Sequence, residues 1–186
     1  LGVLRAVSSR NGEVSTWVPD PVGGVARGEV LEDQGRRIKR GDLQLAKLSS
    51  LMNPASVAVV GASAHPQKVG NAVLRNLLNV GYPGAIYPIN LREEEILGVK
   101  CYKTIGEVGP VDLAVICIPT KFVISAAEEC GQAGAKHLVV ITAGFKEVGA
   151  EGAALEEELQ AVCEKYSMTL TGPNCLGVIS THDKMN

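Results

Sequence analysis

Apolar and polar residues along the chain fall into a repeating order from residue 56 onward. The stretch 56–61 (SVAVVG) is a continuous apolar run ending in glycine, the pattern of a short strand buried on both faces. Over 70–80 the apolar positions Val73, Leu74, Leu77 and Leu78 recur at helical spacing, and Gly81 follows as a stop signal. The run 85–89 (AIYPI) predicts a second strand, and Pro88 marks its end because proline fits poorly in a central ladder. A third strand is expected over 112–118 (DLAVICI), closed by Pro119, with a helix over 122–130 after it. The run 137–141 (HLVVI) predicts a fourth strand before a glycine-bearing loop of Thr142, Ala143 and Gly144. A helix over 152–166, rich in Ala, Leu and Glu, precedes a last short strand over 168–171 that ends at Gly172.

Five strands alternating with helices predict an α/β fold: a Rossmann-like, doubly wound parallel five-stranded sheet with helices on both faces. Right-handed crossovers bring the carboxyl ends of all the strands to one edge. Ligands of such sheets bind beyond that edge, near the point where strand order reverses. This domain is expected over 46–186. Residues 1–45 do not follow the repeat and read as an N-terminal hairpin and linker extension. Asn11-Gly12, between 1–7 and 14–18, is a strong hairpin signal. The following Pro19, Pro21, Gly23 and Gly24 and the charged stretch 29–40 read as a polar linker. A two-stranded hairpin is marginal alone, so it is expected to pack on something larger. The cluster Arg36, Arg37, Lys39 and Arg40 is read as a solvated linker, with phosphate or partner contact as the alternative.

Length and composition fit this picture. The chain of 186 residues is 46% hydrophobic and carries a formal net charge of -2. That suits one substantial core plus an appendage. Its charges are mixed, with no basic stripe of the kind that nucleic acid attracts. No apolar run approaches the roughly 20 residues that span a bilayer, and Arg5, Arg10 and Glu13 interrupt any signal-peptide pattern. The five cysteines (Cys101, Cys117, Cys130, Cys163 and Cys175) are odd in number and lack C-x-x-C spacing. Free thiols in a reducing cytoplasm are therefore expected, without a disulfide framework or metal site. Leu1 opens the chain, which leaves a processed product or a fragment of a longer protein open.

The loop after the first strand runs from Gly61 through Ala62, Ser63, His65, Lys68, Val69 and Gly70 to Asn71. A glycine at a strand end followed by a helix N-terminus forms an anion site, so phosphate is the expected guest. A dinucleotide fingerprint needs Gly-x-Gly-x-x-Gly, but Ser63 and Pro66 occupy the second and third glycine positions. The second strand ends in Pro88, Ile89, Asn90, Leu91 and Arg92, without the acid that usually holds a ribose in NAD-binding domains. Asn90 can hydrogen-bond a sugar. Arg92 can pair with a ribose phosphate or simply be solvated. That chemistry permits coenzyme A or NADP and disfavours NAD.

Taken in order, Val57-Ala58-Val59-Val60-Gly61-Ala62-Ser63, Lys68-Val69-Gly70 and Ile86-Tyr87-Pro88-Ile89-Asn90 resemble the CoA-binding domain of NDP-forming acyl-CoA synthetases. That family includes the ADP-forming acetate–CoA ligases and, more distantly, the succinyl-CoA synthetase α subunit. The likeness continues through Ile141-Thr142-Ala143-Gly144-Phe145 and Gly172-Pro173-Asn174-Cys175-Leu176-Gly177-Val178-Ile179, covering about 48–179. The resemblance implies coenzyme A as ligand. It places Gly61, Ala62, Ser63, Lys68, Val69 and Gly70 by the pyrophosphate, and Pro88, Asn90 and Arg92 on the adenosine side. Ile118, Pro119 and Phe122 would line the nucleotide cleft. Thr142, Ala143, Gly144, Asn174 and Cys175 would lie nearer the pantetheine and thiol. Two departures stand out. Ala143 replaces the glutamate of succinyl-CoA synthetase, which favours the ligase branch, and Glu93 stands near the position of its CoA-contacting basic residue.

The resemblance implies further partners: a succinyl-CoA synthetase-like domain with the phosphorylated histidine, and an ATP-grasp portion. None of His65, His137 and His182 sits in a matching context. A ligand role for His65 stays open, His137 reads as structural, and His182 is given no role. Cys175 has no evident general base and reads as a small buried residue, so no catalytic residue is expected. The expected function is CoA or acyl-CoA binding within an acid–thiol ligase whose catalytic portions are not in this chain. A CoA-sensing module of an acetyltransferase, a stand-alone CoA-binding protein and an NADP-binding oxidoreductase domain are the alternatives. Homo-oligomer formation, the acyl group and the choice between ADP and GDP are left open.

Overall fold

The computed structural model describes residues 30–33, 36–39 and 48–185. The chain divides into two compact units, Leu1–Ala46 and Lys47–Asn186. In the first, β1 (Val30–Asp33) pairs antiparallel with β2 (Arg36–Lys39), setting Glu32 across from Arg37 and Asp33 across from Arg36. The charged stretch read as a linker therefore holds a strand pair. The hairpin expected around Asn11-Gly12 and the Pro19–Gly24 segment lie outside the described residues.

The second unit is a five-stranded parallel sheet in the order β4-β3-β7-β8-β9. Its strands are β3 (Ser56–Val60), β4 (Ala85–Ile89), β7 (Leu113–Ile116), β8 (His137–Val140) and β9 (Thr169–Thr171). Side chains alternate across a strand. Val57, Val59, Leu113, Val115 and Val139 therefore join one core, with Leu51 of a short helix over 48–52 and Leu74 and Leu77 of α1 (Val69–Asn79). Ala58, Val60, Ala114, Ile116, Leu138 and Val140 face the other. There α2 (Val123–Gln132) and α3 (Ala150–Lys165) bring Val123, Ala127, Cys130, Leu159 and Val162. The doubly wound sheet with helices on both faces is as expected.

The helices α1, α2 and α3 close with the same paired hydrogen bonds. After α1, Gly81 N–H donates to Leu78 O and Tyr82 N–H to Leu77 O, with Gly81 at φ +65°. Gly134 fills that left-handed position after α2, and Ser167 (φ +57°) fills it after α3.

β4 has the expected bounds, 85–89, with Pro88 next to its end. The strand tolerates it because β4 is outermost: the Pro88 carbonyl accepts from Tyr102 N–H, so its missing N–H faces that outer side. The crossover from β4 to β7 contains no α-helix. It carries a hairpin of β5 (Glu95–Ile96) and β6 (Val99–Lys100) and a 3-10 turn, Ile105–Glu107. Leu97 and Gly98 both have positive φ, as a two-residue hairpin turn of this kind requires.

Candidate functional site

The strand order reverses between β3 and β7. The first connection leads from β3 outward to β4, and the next returns to β7 on the opposite side of β3. The cleft beyond β3 and β7 is therefore the place where loops diverge and a ligand can enter. Gly61 closes β3 at φ +90°. A Cβ at Gly61 would sit 2.6 Å from Ile118 Cγ2 and 2.9 Å from the Cys117 carbonyl oxygen, so the two loops meet only because this residue is glycine. Gly70 plays the same part for α1, whose first turn lies directly on the Gly61 carbonyl.

Each loop is tied to the next in sheet order. Asn90 Nδ2, after β4, donates to Ala62 O at 2.7 Å. Thr142 Oγ1, after β8, donates to Ile118 O at 2.7 Å, and Asn174 N–H, after β9, donates to Thr142 O at 3.0 Å. Thr120 Oγ1 adds a bond to Ala143 O at 2.7 Å. Gly61, Ala62, Ser63, Asn90, Ile118, Thr142, Ala143, Gly144, Asn174 and Cys175 are thus brought to one edge by direct contact. Lys68 and Val69 open α1 with exposed side chains, and α1 has no side-chain cap.

Arg92 is exposed beyond Asn90, and no ion pair among the described residues involves it. Pro88 is buried, Pro119 exposed, and Phe122 is 49% exposed at the cleft mouth with Lys121 Nζ 4.8 Å from its ring centroid. The edge thus offers backbone amides, the exposed cations Lys68 and Arg92 and an aromatic face, a set suited to phosphates and a base.

By its sequence position Asn90 can hydrogen-bond a sugar. In the structure its amide serves the protein at both ends: Nδ2 on Ala62 O, and Oδ1 accepting from Arg92 N–H and Glu93 N–H. Three further residues shape the edge that sequence reasoning did not single out. Asn71, 2% exposed, donates from Nδ2 to Ser63 O at 2.8 Å. A polar residue at a buried position of an amphipathic helix was the available signal. Thr120 buttresses Gly144, where a Cβ would lie 2.8 Å from its Oγ1. Glu147 accepts from Gly144 N–H and Phe145 N–H, and those bonds, led by Gly144, hold its carboxyl below the usual range.

The histidines and cysteines are outside this set or inert within it. His65 Nδ1 accepts from Gln67 N–H inside the first loop. His137 is buried at the opposite edge, where its Nε2 meets Ser50 Oγ at 2.8 Å, and His182 contacts Asp183. All five cysteines are free. Burial, with Cys175 nearby, pushes the Cys117 thiol up to about 12. Cys175 Sγ contacts the carbonyls of Val140 and Thr171, and no carboxylate or imidazole bonds to it among the described residues. Among those residues there is also no His/Cys/Asp/Glu group able to hold a metal ion. No helix there is long and apolar enough to cross a membrane.

A doubly wound parallel sheet whose switch point opens on an amide-lined loop, with Asn90 rather than an acid directly after β4, defines an α/β domain of the nucleotide-binding class. Within that class the chain belongs to the CoA binding domain family, whose pattern matches residues 55–181. It is 48% identical over 140 residues to the α subunit of ADP-forming acetate–CoA ligase II of Pyrococcus furiosus, covering 75% of this chain and 30% of that protein. The 4-hydroxybutyrate–CoA ligase [ADP-forming] of Nitrosopumilus maritimus is 41% identical over 137 residues, covering 73% of this chain and 20% of that one. Among solved structures, the dinucleotide-forming acetyl-coenzyme A synthetase 1 of Ca. Korarchaeum cryptofilum, in complex with phosphate and ADP, superposes with a TM-score of 0.72 at 46% identity. That match covers 75% of this chain and 30% of the other. The chain thus spans about a third or less of these relatives.

Proposed function

We propose that the carboxyl edge of the sheet binds coenzyme A, and that the chain serves as the CoA-binding portion of an ADP-forming acyl-CoA synthetase. The observation that carries this reading is the coincidence of two facts. The family match runs through all five strand-end loops, and those loops meet one another in sheet order, by hydrogen bonds at three junctions and by the packing of Gly61 on Ile118 at the fourth. The first loop (Gly61, Ala62, Ser63) and the opening of α1 (Lys68, Val69, Gly70) take the pyrophosphate, with amides and the N-terminal end of the helix facing negative charge. Pro88, Asn90 and Arg92 flank the adenosine, Arg92 supplying charge to its ribose phosphate. Ile118, Pro119 and Phe122 wall the cleft, and Thr142, Ala143, Gly144, Asn174 and Cys175 border the thiol end.

In this reading the chain contributes position rather than bond-making. It holds the thiol where an acyl phosphate formed by a phosphohistidine domain and an ATP-grasp portion can be attacked, the gain being that of a preoriented over a free nucleophile. Cys175 has no base bonded to it among the described residues and takes no covalent part in this reading. Calorimetric titration of the 186-residue chain with CoA, dephospho-CoA and NADP tests the binding reading. Saturable heat is expected with CoA, weaker with dephospho-CoA. No heat with CoA up to millimolar concentration overturns it. A reading frame that joins this segment to an acetyltransferase in place of those synthetase portions overturns the second half.

A further inference from the structure

Counting donors in the first loop shows which backbone groups a ligand can use. Gly61 N–H donates to Ile89 O, Ala62 N–H to Val59 O, His65 N–H to Ser63 Oγ, Gln67 N–H to His65 Nδ1 and Lys68 N–H to His65 O. Asn71 N–H and Ala72 N–H both donate to Lys68 O, and Pro66 has no N–H. Four amides remain without an acceptor among the described residues: Ser63, Ala64, Val69 and Gly70. The last two are the free donors of a helix start. The first two need another cause, since a loop peptide can turn either way.

That cause is visible in two carboxamides. Asn90 Nδ2 binds the carbonyl of Ala62, and Asn71 Nδ2 binds the carbonyl of Ser63. In a planar trans peptide the N–H of the next residue points opposite to the carbonyl. Drawing the Ala62 carbonyl toward β4 therefore turns the Ser63 N–H toward β7, which is the switch-point cleft. Drawing the Ser63 carbonyl toward the buried Asn71 turns the Ala64 N–H outward, where Ala64 is exposed. The Asn90 side chain is itself fixed at its other end by Arg92 N–H and Glu93 N–H.

We infer that Asn71 and Asn90 are positioning residues that aim the Ser63 and Ala64 amides at a phosphate group. The pair replaces, with side-chain amides from two elements, the orientation that a glycine-rich fingerprint obtains from its backbone. The inference deepens the reading of this edge as the CoA phosphate site and rests on it. Neither asparagine touches the ligand through this bond; each acts through the peptide it holds.

The test is a 15N–1H NMR titration of the 186-residue chain with inorganic pyrophosphate and, separately, with CoA. The proteins are wild type, Asn71→Ala and Asn90→Ala, with thermal unfolding monitored in parallel. In wild type the Ser63 and Ala64 resonances move on titration. Each variant loses the movement of the amide it oriented and binds CoA about tenfold more weakly, the worth of one hydrogen bond to a charged group. If an alanine variant does not fold, Asn71→Ser and Asn90→Ser carry the same expectation, because a hydroxyl is too short to reach the carbonyl. Folded variants whose Ser63 and Ala64 amides still respond fully overturn the inference, as does a wild type in which pyrophosphate leaves both amides still. CoA binding without movement of these amides removes the clamp and leaves the CoA reading standing. Amide movement with pyrophosphate but no CoA binding does the reverse.

Discussion

Replacing Gly70 by alanine places a methyl group in the first turn of α1 against the strand-end loop it packs on. The new Cβ would lie 2.0 Å from the Gly61 carbonyl oxygen, 2.8 Å from its carbon and 3.1 Å from Ala62 Cα. Ordinary van der Waals contact begins near 3.4 Å, so the closest approach falls about 1.4 Å short. Every obstructing atom is backbone, so no side chain can swing away and α1 must retreat from β3. Intrinsic propensity pulls the other way, favouring alanine over glycine inside a helix by about 1 kcal/mol. Overpacking against a rigid neighbour costs about 1–3 kcal/mol, and here the upper part of that range applies. The net expectation is a loss of about 1–2 kcal/mol, or roughly 2–8 °C in Tm for a chain of this size. Urea unfolding followed by circular dichroism measures it. Gly106→Ala is the control, since its nearest neighbour, Thr104 Oγ1, is 3.7 Å away, and it should change stability by no more than about 0.5 kcal/mol. A Gly70→Ala chain as stable as wild type, or more stable, refutes the reasoning, because propensity would then outweigh contact.

Two further outcomes follow from local geometry. Asp112 accepts from Lys136 Nζ at 2.6 Å and from Ala55 N–H at 2.7 Å, and these bonds, Lys136 first, hold its carboxyl below the usual value of 3.8. A depressed folded pKa gives stability that is full above the unfolded value and is lost as pH falls through it to the folded one. Asp112→Asn should therefore be less stable than wild type by about 1–2 kcal/mol at neutral pH, with the gap closing below pH 3.8; a gap constant with pH counts against the bond network. Ser167 holds a left-handed conformation at φ +57° after α3, so Ser167→Gly should raise stability by about 1 kcal/mol in thermal unfolding, and a loss of stability shows that the serine is not strained.

The sheet was legible because its strands are buried on both faces and so read as unbroken apolar runs. The strand over 85–89 has the expected bounds, three others are one residue shorter, and the one expected over 112–118 loses three, since Cys117, Ile118 and Ile141 are apolar like strand residues but belong to the loops. The β5–β6 hairpin was not legible. Its strands are two residues each, too short for any period to register, and one turn position is Leu97 rather than a residue that signals positive φ. The strand pair β1–β2 was hidden by its charges, which look like a solvated run until their cross-strand register is known. At the site, the residue types pointed to the loops at one edge of the sheet, and the structure gathers those loops there. What the sequence could not supply was partner identity. Asn90 lies 28 positions from the carbonyl it holds, and nothing in the local pattern distinguishes that bond from one to a sugar.

The difference matters for how such an edge works. A long ligand that crosses several loops gains affinity when those loops need no ordering on binding. Here Asn90, Thr142 and the Asn174 backbone make protein–protein bonds that already set the spacing between neighbouring loops. The first loop and the start of α1 keep four amides without an acceptor among the described residues, which would be unfavourable in a buried loop but is tolerable at an open edge. In the proposed reading, polar groups at this edge divide into those that bind the protein so that the loops hold their shape, and backbone amides left for the phosphates. Asn71 and Asn90 belong to the first group, and the backbone of Ser63, Ala64, Val69 and Gly70 to the second.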